Sequence, residues 1–140
     1  MQFTVVKSEP NKPAKFIKTT TLQDQAILAV LDETYKQVKK AVRNGCRVDI
    51  TDSCKRGNYL GNVFISDKKV RANKYPFLFA LDKQWGPIYN KLQDRLYKGS
   101  ATAVFMTITN RQVFGDITSL TIVATDDDGQ PTKVPNWWKK

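Results

Sequence analysis

The stretch "VDITDSCKRGNYLGNVFISDKKVRANKYPFLF", residues 48–79, decides how this chain is read. Val48 and Ile50 alternate with polar neighbours. Asn62–Ser66 alternates again, with Val63 and Ile65 on one side and Phe64 on the other. In Phe77–Leu81, the residues Phe77, Phe79 and Leu81 share a side. A period of two predicts strands with one face buried. The stretch therefore reads as a three-strand meander joined by two basic loops. Consecutive loops of such a meander leave at opposite ends, and strands of about five residues place those ends roughly 17 Å apart.

Upstream, Leu22–Asn44 has the plan of a helix. Ile27, Val30, Leu31, Thr34, Val38, Ala41 and Val42 repeat at three and four, so one stripe faces a core. Thr21 and Asp24 suggest a variant capping box, and Gly45 stands where a left-handed C-cap belongs. Lys36, Lys39, Lys40 and Arg43 repeat at the same spacing on another face. Downstream, residues 86–99 read as a second helix. Pro87 suits the first helical position, and Ile88, Tyr89, Leu92 and Leu96 form its buried stripe before Gly99. Short strands are predicted at 2–6 and over "KFIKTT", with longer ones over "ATAVFMTIT" and "ITSLTIVAT". An extended C-terminal tail covers 126–140. The whole, 1–140, reads as a single domain.

Composition narrows the function. Hydrophobic residues form 41% of the chain, enough for a modest core. No apolar run is long enough to span a bilayer, and the N-terminus lacks the plan of a signal peptide. The expectation is a protein of the cytosol or nucleoid. Net charge is +10, spread through the folded body and not gathered in one tail. Such a field attracts polyanions. Cys46 and Cys54, with no histidine anywhere, cannot build a four-ligand zinc site, and reduced thiols are expected. The same lack of histidine removes the Ser-His and Cys-His pairs. Asp49 and Asp52 read as loop carboxylates balancing Lys55 and Arg56. "DDDG" (126–129) reads as a turn, since it lacks the ligand alternation of an EF-hand loop. Neither an enzyme nor a cofactor is expected.

Val48-x-Ile50 followed by Lys55-Arg56-Gly57-x-x-x-Gly61-x-Val63 resembles the KOW motif of ribosomal proteins and NusG-type transcription factors. Ser53 and Cys54 stand where a glycine often opens that turn. The resemblance covers region 46–82 and implies the first hairpin of a small SH3-like or Tudor-like barrel. Size and charge are also similar to MotB-type DNA-binding proteins of T-even-like phages, which would place the chain in a phage-infected host cell. The expected fold is α+β: a small SH3-like, KOW-type β-barrel, or a strongly twisted antiparallel sheet, with two packed helices.

These residues point to nucleic acid, DNA ahead of RNA. In the first loop Lys55 and Arg56 present charge to phosphate, Asn58 a donor and acceptor, and Tyr59 a ring. In the second, Lys68, Lys69, Arg71 and Lys74 lie beside Tyr75. The helix face Lys36, Lys39, Lys40 and Arg43 adds charge, and Trp137 and Trp138 beside Lys139 and Lys140 present rings for stacking. Such a set suits backbone contact with modest sequence preference. The resemblance implies a role in transcription, translation or nucleoid organisation. A second reading is an accessory factor that binds RNA polymerase or a ribosomal component. A third is an inhibitor or structural protein with a basic surface.

Overall fold

A computed structural model describes residues 2–54, 57–110 and 113–125. Its strands are β1 (Gln2–Ser8), β2 (Lys15–Thr20), β3 (Arg47–Asp52), β4 (Asn58–Val63), β5 (Ala103–Asn110) and β6 (Val113–Thr125). Its helices are α1 (Gln23–Arg43), α2 (Lys68–Ala72) and α3 (Lys74–Tyr97). The fold is α+β. Six strands form one antiparallel sheet in the order β2-β1-β6-β5-β3-β4. Each hairpin is local in sequence, and the last, β5–β6, inserts between the other two. Among the described residues the sheet ends in two edges, β2 and β4, and is not closed into a barrel, contrary to the expectation from the hairpin.

Alternation explains the sheet. Phe3, Val5, Val48, Ile50, Val104, Met106, Leu120 and Ile122 are buried and point to one face, where the helices lie. α1 packs against β1, β2, β3, β5 and β6, and α3 packs against β4 and α1. The α1 stripe read from the sequence is buried throughout. Thr34, within it, satisfies its hydroxyl by donating to the Val30 carbonyl at 2.6 Å. Lys7 reaches from β1 into the same layer, where Glu9 and Glu33 hold its ammonium at 3.0 and 3.3 Å. The start of α1 differs from expectation: Leu22 is the N-cap without a side-chain bond, and the Thr20 hydroxyl accepts from the Leu22 N–H. Its end agrees, with Gly45 at φ 85°.

The β3–β4 hairpin forms as expected, though β4 runs over 58–63 and covers only the first two residues of the run read at 62–66. Ile50 faces Gly61 and Thr51 faces Tyr59, so Leu60 is the extra residue of a bulge. Gly61 has φ 142°, and a Cβ there would meet Ile88 Cγ1 at 3.0 Å. A side chain there would be strained by the backbone conformation and would press on Ile88 of α3.

The third strand does not exist. Residues 74–97 are one helix, and the basic loop before it contains α2. The physical reason is a longer period. Phe77, Leu81, Trp85, Ile88, Leu92 and Leu96 are all buried and recur at three or four along α3. A run of five residues fits either period, whereas twenty fit only the helix. Pro87 is therefore inside the helix and not at its start. Its missing N–H leaves the Lys83 carbonyl without its helical donor, a penalty of roughly 3 kcal/mol. The buried stripe on both sides, each large apolar side chain contributing about 1.5–3 kcal/mol, outweighs it.

Candidate functional site

Where α1 ends, the chain turns into β3, and β4 returns antiparallel to that point before leading into α2. Topology thus gathers Arg43, Lys68, Lys69, Arg71 and Lys74 at one corner. Arg43 joins its three helices. Its guanidinium carbon lies 4.1 Å from the centroid of the buried Phe77 ring, and Nη1 donates to the Arg71 carbonyl at 3.4 Å. Arg71 is half-buried beside Gly45, where a Cβ would meet its Nη1 at 2.5 Å. Its Nε is buried without a hydrogen-bond partner among the described residues. Lys68, Lys69 and Lys74 are exposed. The nearby carboxylate, Asp67, is used as the α2 N-cap and accepts from the Lys69 N–H at 2.8 Å. That bond orients α2 and leaves its lysine side chains to solvent.

Two rings stand next to this corner. Tyr75 is 79% exposed and Phe79 is 71% exposed. Lys74 Nζ lies 6.0 Å from the Tyr75 centroid, and Lys83 Nζ lies 5.7 Å from that of Phe79. The alternating pattern does not single out Phe79 or Lys83 as contact residues. A strand would have put Phe79 on the same side as Phe77 and Leu81. In a helix, residues two apart point about 200° apart, so Phe79 faces water while Phe77 faces the core. The i, i+4 spacing of Tyr75, Phe79 and Lys83 was the available signal.

The first loop is different. Lys55 and Arg56 lie outside the described residues, as do Trp137, Trp138 and the "DDDG" segment. Tyr59 is on the open face of the sheet, opposite the helices, and its hydroxyl donates to Asp49 at 2.8 Å. Asn62 Nδ2 donates to that hydroxyl at 3.2 Å, and Arg47 pairs with Asp49 at 3.1 Å. Asp49, and behind it the Tyr59 hydroxyl, holds the Arg47 guanidinium above its ordinary range. Asn58 turns to the other face and donates to Asp52 at 3.4 Å. Asp52 is fully buried and also accepts the Cys54 N–H at 2.9 Å. Asp49 and Asp52 therefore point to opposite faces and do not form a pair. The length of β4, six residues or about 20 Å, separates Asn58 from the basic corner.

Lys36 and Lys40 are exposed and Lys39 is half-buried on α1. Lys36, two turns before Arg43, lines a shallow hollow of about 410 Å³ with Lys18, Asp32 and Glu33. Charges of both signs meet there, so its field is weaker than that of the corner. Both cysteines are free, and Arg95 Nη1 donates to the buried Cys54 Sγ at 3.3 Å. Among the described residues, no group of three or more Cys, Asp or Glu could hold a metal ion, and no helix is long and apolar enough to cross a membrane. No protein-family model, curated protein or solved structure matches the chain.

Proposed function

We propose that this protein is a non-enzymatic nucleic-acid-binding protein, with DNA ahead of RNA, acting in the cytosol or on the nucleoid. The observation behind this reading is the convergence of Arg43, Lys68, Lys69, Arg71 and Lys74 at one corner of a chain with net charge +10. Lysines on a short helix make point-charge contacts to phosphates, which position a nucleic acid without reading its bases. Arg43 and Arg71 are held in the structure and hold the corner together, while Lys68, Lys69 and Lys74 remain available. The KOW-like pattern around the β3–β4 hairpin adds Lys55 and Arg56 as a second set of candidate contacts. Modulation of transcription or nucleoid organisation follows from such binding.

Fluorescence anisotropy with labelled DNA at increasing salt tests the reading. Four or five phosphate contacts predict that affinity falls on the order of a few hundred-fold between 50 and 200 mM salt. No binding at micromolar protein in 50 mM salt refutes it.

A further inference from the structure

We infer that the first two turns of α3 form a stacking platform for unpaired bases, so that the preferred partner is single-stranded nucleic acid. This rests on the nucleic-acid reading above and specifies the form that is bound. Tyr75 and Phe79 are each more than two-thirds exposed, although the core of α3 is already supplied by Phe77, Leu81 and Trp85. Both rings thus forgo burial while standing on one helix face. Four residues of helix separate them by about 6 Å along the axis. That is nearly twice the ~3.4 Å rise per nucleotide in a duplex strand. The spacing suits two bases of an extended strand, each on its own ring.

A paired duplex hides its base faces in the stack, so exposed rings gain little from it. An unpaired strand presents every face, and stacking of this kind tolerates any base. The surrounding charge has the matching sign. Lys74 and Lys83 flank the two rings, and Lys68 and Lys69 on α2 are adjacent in the chain. Asp82 marks where the platform ends. It lies on the same face two turns after Tyr75 and accepts a hydrogen bond from the Tyr35 hydroxyl at 3.3 Å. A strand following the rings would therefore run toward the basic corner and not further along α3.

The test compares the full chain with a Tyr75→Ser/Phe79→Ser variant, using labelled 12-nucleotide oligo-dT and a 12-base-pair duplex at the same salt. Both substituted positions are exposed, and circular dichroism checks that the fold is kept. The wild type is expected to bind oligo-dT at least tenfold more tightly than duplex. Loss of two stacked bases should weaken oligo-dT binding by roughly 10²-fold or more. Duplex affinity and its salt dependence should not change. If the variant binds oligo-dT as the wild type does, or weakens equally on both ligands, the platform is refuted and the nucleic-acid reading stands. If the wild type binds neither ligand at 50 mM salt, both are refuted.

Discussion

The β3–β4 hairpin and the α2–α3 segment look alike as sequence. Each has a short apolar alternation, an exposed tyrosine and a cluster of cations. One folds as a bulged hairpin and the other as helix. In the hairpin, Tyr59 is tied to Asp49 and Asn62, and its neighbour Asn58 to Asp52. On α3, Tyr75 and Phe79 stand in solvent with lysines beside them. A five-residue alternation does not choose between strand and helix. The residues downstream of it make that choice. After Ile50 come a polar turn and a glycine that can take φ 142°, whereas after Leu81 the apolar stripe continues to Leu96 at helical spacing.

The sharpest way to break this contrast is at the two phenylalanines. Phe77→Ala should destabilise the protein by about 3–5 kcal/mol, since it empties a fully buried site beneath Arg43. Phe79→Ala should stay within about 0.5 kcal/mol. Urea denaturation measures both, and equal losses would mean that the two rings share a buried face, as in a strand.

Pro87→Ala sharpens the same point. Placed inside α3, the alanine restores a donor for the Lys83 carbonyl and should stabilise by about 1–3 kcal/mol. At a helix start it would be neutral or slightly unfavourable. The change in thermal midpoint decides between them.

Charge reversal compares the two basic regions of the surface. Lys68→Glu with Lys69→Glu should weaken DNA binding by on the order of tenfold or more. It should also lower the salt slope by about one for each phosphate no longer neutralised. Lys36→Glu, in a hollow that already holds Asp32 and Glu33, should have a smaller effect. Equal effects in a gel-shift titration would remove the corner from the interface.

The smallest effect concerns acid stability at the far end of β1. Hydrogen bonds from Lys7 and then Lys12 hold the Glu9 carboxyl below its ordinary value of 4.5. A carboxylate with a lowered folded pKa stabilises above its unfolded value, and that contribution is lost as pH falls through the folded one. Glu9→Gln should therefore flatten stability slightly in the window below pH 4.5. An NMR titration of Glu9 with a midpoint at or above 4.5 would contradict this.

Much of the fold was legible. The α1 stripe, Gly45 and the β1–β2 and β5–β6 runs follow from periodicity and glycine alone, whereas Gly61 lies inside β4 and not at the start of a strand. Gly86-Pro87 misled because it is a strong local start signal, and only the packing of Trp85 and Ile88 on either side overrides it. Of the candidate site, the cations could be identified but not their convergence. Arg43 and Arg71 are 28 residues apart and meet because β3 and β4 return the chain to the end of α1. Phe79 is missed when the run is read with a period of two, since its exposure reverses with the period, and its i, i+4 spacing to Tyr75 and Lys83 counts only once the helix is assigned.

Residue spacing by itself determined which segments are amphipathic, where glycine is required, and that the surface is basic, because these depend on neighbours within a few residues. Tertiary structure alone decided that the sheet stays open, with β5–β6 inserted between two earlier hairpins. It also decided that Arg71 meets Arg43 across 28 residues. Both outcomes depend on pairings and packing between residues far apart in the chain, and no local pattern encodes which distant surface will cover a given face.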